Sequence, residues 1–210
     1  MDALVAAVIH DAKNALMALD ARLAEAESRP VSTDFATLRG SLARIAQELA
    51  ELLTLYRAQQ GALRLAIDDH DLLDFLDELA LELGPPPEGI ALKLDRAAAQ
   101  RIGAWAFDAH LVRLALADAL RNALRHAKTR VTLSLDQPAG GGIRFIVQDD
   151  GPGFPAPLLA GEEQVASAGG TGLGLLFARL IAAHHATPDG RHGRLELAND
   201  GGAVFSLYLP

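Results

Sequence analysis

The sequence predicts an α+β fold in two parts: an N-terminal helical hairpin, then a mixed sheet covered by helices in an α/β sandwich. Three observations predict it. Apolar residues recur in a heptad rhythm up to about residue 60. Beyond that point, short strand-like runs alternate with amphipathic helical stretches. The chain then closes on two strand-like runs joined by Asp200-Gly201-Gly202, a hairpin signal.

In the first part, Val5, Ile9, Ala12, Leu16, Leu19, Leu23 and Ala26 are spaced by alternating steps of about four and three, a heptad seam. Pro30 ends this helix, and Ser32-Thr33-Asp34 offers N-caps for a second. Leu38, Leu42, Ile45, Leu49, Leu52 and Tyr56 repeat the pattern. A hairpin alone leaves part of each seam wet, so a homodimer forming a four-helix bundle is expected. His10 sits on the flank of the first helix, with Asp11 beside it and Asn14 one turn later. These polar residues fit the shoulder of a coiled coil. They equally fit an exposed imidazole nucleophile whose ring proton Asp11 accepts.

Gln59-Gln60-Gly61 closes the hairpin. A strand is expected over residues 63–67 and a helix over 70–83, followed by a break at Gly84-Pro85-Pro86-Pro87. Further strands are expected over 90–94 and 104–107, and a long helix over 108–127. Strands over 129–135 and 142–147, a helix after Gly174, and strands over 194–198 and 203–209 complete the series.

Composition narrows the function classes. The 210 residues carry a net charge of −8, which argues against a nucleic-acid partner, since phosphate backbones need a basic face. The absence of cysteine excludes disulfides and thiolate metal sites. The apolar run 3–9 is too short to enter and cross a bilayer and lacks a basic leader, so a cytoplasmic location is expected.

Two glycine turns stand out. Gly169-Gly170-Thr171-Gly172-Leu173-Gly174 precedes a helical run, so bare N–H groups would gather at the positive end of a helix dipole. Such a turn suits phosphate oxygens, or tight packing alone. Asp149-Asp150-Gly151-Pro152-Gly153 follows a strand. Asp149 would end buried, where its carboxylate could accept a hydrogen bond from the exocyclic amine of a base. On the long helix, Asp118, Asn122, Arg125 and His126 lie on successive turns. They fit a solvated face, or a set in which an amide oxygen and a cation meet Mg²⁺ and phosphate.

Taken together, these segments resemble the bacterial two-component sensor histidine kinases, over nearly the whole chain. The stretch His10-Asp11-Ala12-Lys13-Asn14-Ala15-Leu16 is similar to the phosphoacceptor box. Asp118 to His126 resembles the N box, and the turns at Asp149 and Gly170 resemble the first and second glycine boxes. The resemblance implies a dimerisation and phosphotransfer hairpin over residues 1–60 and a Bergerat-type ATP-binding domain, as in gyrase and Hsp90, over 61–210. It implies that His10 takes the γ-phosphoryl group of ATP, that Asp11 activates the ring, and that Asn14 positions water in a reverse phosphatase reaction. Asn122 would ligate Mg²⁺, and Arg125 and His126 would flank the phosphates. Asp149, with Gly151 and Gly153, would hold adenine; the backbone of Thr171, Gly172, Leu173 and Gly174 would line the phosphates. The implied partner is a response-regulator receiver domain. Because only nine residues precede His10, a chain without its own sensor is expected, which leaves a role for a separate sensor protein.

Three positions depart from the family pattern. Ala15 replaces a usual proline, Asp118 replaces an asparagine, and the segment between Gly153 and Gly169 is short and lacks a Phe-x-x-Phe element. Related ATPases use an acid at the Asp118 position to activate water, so slow ATP hydrolysis is expected. Two alternatives remain at this point: a phosphotransferase relay of kinase-like shape, and an anti-sigma or serine-kinase switch.

Overall fold

The computed structural model describes residues 35–161 and 173–210. The first seam helix, His10, Asp11, Asn14, Thr171 and Gly172 lie outside the described residues. Two compact units are present: residues 1–63 with 166–173, and residues 64–165 with 174–210.

Of the first unit, helix α1 (Phe35–Gln59) is described. It ends where Gly61 takes φ +66°, a conformation glycine adopts without penalty. Gln47, Glu51, Thr54 and Leu55 form its buried side, at the i, i+4, i+7, i+8 spacing of one helix face. The expected seam residues Leu42, Leu49 and Tyr56 are exposed in the single chain, together with Leu53.

The second unit carries a five-stranded mixed sheet and a separate two-stranded one. β1 (Asp68–Asp71) pairs antiparallel with β3 (Ala104–Phe107). The main sheet has the order β2-β4-β5-β7-β6, built from β2 (Ala91–Leu94), β4 (Arg130–Asp136), β5 (Ile143–Asp149), β6 (Arg194–Asn199) and β7 (Ala203–Leu209). Among the described residues, the β2–β4 pair is parallel and the other pairs of this sheet are antiparallel.

Strand alternation sets the two faces of this sheet. Val131, Leu133, Leu135, Phe145, Val147, Phe205 and Leu207 point to the core. The other face carries a polar ladder in which Arg144 pairs with Asp136 at 2.5 Å and Arg194 lies 4.4 Å from the Tyr208 ring centre. A mixed sheet with one polar face needs helices on the other face only.

Those helices are α2 (Leu72–Leu83), α3 (Arg96–Ile102), α4 (Ala109–His126) and α6 (Leu173–His184), with a one-turn α5 (Ala156–Leu159) on the connection between β5 and α6. Aspartates start three of them. Asp71 accepts from the Leu73 and Asp74 N–H groups, Asp95 from Ala98, and Asp108 from Leu111, each satisfying amides that a helix start leaves bare. Phe75 of α2, Phe107 of β3 and Phe145 of β5 meet with ring centres 5.1 to 5.9 Å apart, locking helix layer to sheet.

Two expectations are corrected. Residues 63–67 form no strand, and pairing starts at Asp68. The Ala66 N–H donates to Asp108 Oδ2 at 2.9 Å, so this segment is tied to a helix cap and not to a ladder. The helix expected from residue 70 begins at Leu72, because Asp71 is its cap. The short helices α3 and α5 were not expected: each is too brief to show a helical period.

Candidate nucleotide-binding site

The site is assembled around α4. Its N-terminus is fixed by Asp108, a buried residue whose backbone N–H donates to Nε2 of His185 at 3.0 Å. Nδ1 of His185 in turn faces the Ile181 carbonyl at 2.8 Å, so the ring is a neutral tautomer with both nitrogens in use. Burial pushes the His185 pKa down.

Further along α4, Asp118 is partly buried and its pKa is raised by burial, against the opposing pull of Arg121 and Arg125. Asn122, Arg125 and His126 follow on exposed positions of the last two turns. Gly174, in the first turn of α6, lies directly on Asp118: a Cβ there would collide with the Asp118 carboxylate. The glycine is therefore demanded by close approach, and it seats the start of α6 one turn before Asn122. Leu173 beside it is buried.

The Asp149–Gly153 turn reaches the same helix at its end. Gly151 is buried, and a side chain there would strike the His126 carbonyl. Asp149, the last residue of β5, is 7% exposed. Its Oδ1 accepts from the Gly151 N–H at 2.7 Å and from the Ala203 N–H at 3.1 Å. Oδ2 has no hydrogen bond among the described residues, so it is an acceptor held in fixed orientation.

Asp150 has a different task. It accepts from the N–H groups of Lys128, Thr129 and Arg130 and from the Thr129 hydroxyl at 2.5 Å. Chiefly through the Thr129 hydroxyl, these bonds hold its carboxyl well below the usual carboxylate range. Asp150 thus staples the turn to the start of β4. Gly153 takes φ +83°, and beyond it the Phe154 backbone is held by Asn199.

The structure therefore brings Asp118, Asn122, Arg125, His126, Asp149, Gly151 and Gly174 to one helix, the turn after β5 and the start of α6. Sequence reasoning missed Asn199, Gly202 and the Ala203 amide. A Cβ on Gly202 would overlap the Asp149 carbonyl. Their only signal was the Asp200-Gly201-Gly202 turn, which reads as a hairpin and nothing more.

This arrangement fits what the chain is similar to. Residues 107–210 match the family of histidine kinase-, DNA gyrase B- and HSP90-like ATPases. The chain carries an ATP-binding domain of the histidine kinase type. It is 30% identical over 175 residues to the signal transduction histidine-protein kinase AfsQ2 of Streptomyces coelicolor, covering 80% of this chain and 31% of that protein. It is 32% identical over 108 residues to the sensor protein KdpD of Rathayibacter rathayi, covering 51% of this chain and 12% of that one. The chain thus spans less than a third of either relative.

The fold is shared with the histidine kinase AdeS of Acinetobacter baumannii, at a TM-score of 0.65 and 18% identity over 95% of this chain and 96% of that one. It is also shared with full-length ShkA, solved with AMPPNP, at a TM-score of 0.58 and 17% identity over 99% of this chain and 44% of that one. No helix among the described residues is long and apolar enough to cross a membrane.

Proposed function

We propose that this histidine kinase-type chain transfers the γ-phosphoryl group of ATP to His10 and passes it to an aspartate of a response-regulator receiver. The observation that supports this reading is the convergence of the Asp149–Gly153 turn and of Gly174, in the first turn of α6, on α4, with Oδ2 of Asp149 left open as an acceptor among the described residues. Asp149 would take the exocyclic amine of adenine. Asn122 offers one hard oxygen, so a Mg²⁺ ion there would draw its other ligands from phosphate and water and neutralise charge on the transferring group. Arg125 and His126, exposed on the last turn, would flank the phosphates, as would the backbone from Thr171 to Gly174.

In the transfer itself, a ring nitrogen of His10 forms the P–N bond as the bond from the γ-phosphorus to ADP breaks. Asp11 accepts the ring proton. Positioning and charge supply the rate, since little other covalent chemistry is required. Residues 1–60 would supply the dimerising hairpin and residues 61–210 the ATP-binding part. The exposed heptad residues Leu42, Leu49 and Tyr56 support a homodimer, because a second copy would cover them.

The test is incubation with γ-labelled ATP and Mg²⁺, followed by chemical typing of the product. Acid-labile, base-stable label that disappears in His10→Gln is the expected result. Equal labelling of the variant would overturn the assignment of His10. Asn14→Ala should leave this labelling intact and slow the dephosphorylation of the cognate regulator; identical decay with both proteins would remove the phosphatase role.

A further inference from the structure

The turn between β6 and β7 touches the first glycine turn at both of its ends. Gln148 Nε2 donates to the Asp200 carbonyl at 2.9 Å, Gly202 packs on the Asp149 carbonyl, and the Ala203 N–H donates to Asp149 Oδ1. At the far end, Asn199 Oδ1 accepts from the Phe154 N–H at 2.7 Å and Asn199 Nδ2 donates to the Phe154 carbonyl at 3.0 Å. One primary amide thus satisfies both backbone groups of a single residue, as a neighbouring strand would. The pairing also fixes the orientation of the amide, because only one placement of oxygen and nitrogen serves both groups. Gly153 completes the fit: a Cβ there would lie 2.7 Å from the Asn199 side chain.

We propose that Asn199 is a positioning residue for nucleotide binding, which sets the path of the chain leaving the Asp149–Gly153 turn. The inference rests on the reading of that turn as the adenine site. Asp149 is fixed from one side by Ala203 and Gly202, and Gly153 from the other by Asn199. With Asn199 removed, Phe154 loses both partners. The turn then keeps its anchors at Asp149, Asp150 and Gly151 but loses the one beyond Gly153, so the geometry of that end must be restored each time a nucleotide binds.

The experiment compares wild type with Asn199→Ala, Asn199→Asp and Gln148→Ala. It measures ATP affinity by calorimetry, thermal stability without nucleotide, and amide exchange at Phe154. Gln148→Ala removes a bond to the same hairpin without touching Phe154. Asn199→Ala should weaken ATP binding about tenfold and deprotect the Phe154 amide. Asn199→Asp should bind no better at neutral pH, because its second oxygen would face the Phe154 carbonyl. Gln148→Ala should lower the melting temperature and keep wild-type affinity. If wild type binds ATP and Asn199→Ala binds equally well, the positioning role falls while the nucleotide site stands. If Asn199→Asp binds as wild type, or Gln148→Ala loses as much affinity as Asn199→Ala, the specific amide clamp is likewise overturned. Failure of the wild type to bind ATP would overturn the underlying reading and this inference together.

Discussion

Gly174 lies against Asp118 so closely that a methyl group on its Cα would occupy the space of the carboxylate. Alanine at this position therefore pushes on a partly buried carboxylate, which must shift to admit it. Gly174→Ala should cost about 1–3 kcal/mol, the usual range for overpacking. Shortening the partner should relieve it: Asp118→Ala with Gly174→Ala should be more stable than the sum of the single changes predicts. Thermal melts of the four proteins without nucleotide check this, and strict additivity would show that the two residues do not meet.

Asp118 also sets a pH dependence. Burial raises its pKa above the unfolded value, so the folded state binds the proton more readily than the unfolded chain does. Ionising it costs stability, and that cost grows as pH rises from the unfolded carboxylate value through the folded one. Asp118→Asn should raise the melting temperature at neutral pH, with a gain that shrinks on acidification and vanishes below about pH 4. A gain independent of pH would point to packing and not to charge.

His185 acts in the opposite sense. Its pKa is lowered, and protonation would set a donor against the Asp108 N–H. Between its folded value and about 6.5 the unfolded chain takes the proton and the folded one resists it, so stability falls as pH drops through that window. Among the described residues, the charged groups acting on it are the Asp108 carboxylate and the His184 imidazole. His185→Gln should flatten this acid limb. At pH 8 it should cost about 1–3 kcal/mol if the Asp108 N–H is left unpaired. Denaturant unfolding across pH 5 to 8 measures both effects; an unchanged slope below pH 6.5 would exclude His185 as its source.

Much of the second unit was legible in the sequence because its signals are local. The Asp149 turn and the α4 face each announce themselves by residue type and spacing, and β3 and β7 fall where alternation puts them. What was not legible depends on distance in the chain. Asn199 and Phe154 are 45 positions apart, and each stands at the edge of a glycine turn with nothing local to pair them. Residues 63–67 look like a strand by apolar content, yet Asp68–Asp71, poor in strand formers, is the segment that pairs. Its partner β3 decides this, which is tertiary context overriding propensity. On α1, the heptad rule located apolar positions without telling which would be covered within one chain.

The last prediction concerns Asp149. Both of its internal hydrogen bonds go to Oδ1, and Oδ2 carries none among the described residues. Asparagine can keep its carbonyl oxygen on the Gly151 and Ala203 amides, so Asp149→Asn should fold with a melting temperature close to wild type. Its NH₂ group then stands where Oδ2 stood, and a donor faces the exocyclic amine of adenine. The loss is a hydrogen bond to a charged acceptor, about 1.5–3 kcal/mol, or roughly ten- to a hundredfold in ATP affinity. Adenosine should weaken by the same factor, because the contact is to the base. Asn122→Ala should differ, losing the Mg²⁺-dependent part of ATP affinity and leaving adenosine untouched. If Asp149→Asn instead unfolds more easily, the amide has turned its nitrogen towards the backbone donors. Its carbonyl oxygen then stands where Oδ2 stood, so the melting temperature falls while much of the affinity for adenosine remains. Wild-type affinity for ATP and adenosine in a stably folded Asp149→Asn protein would place adenine elsewhere.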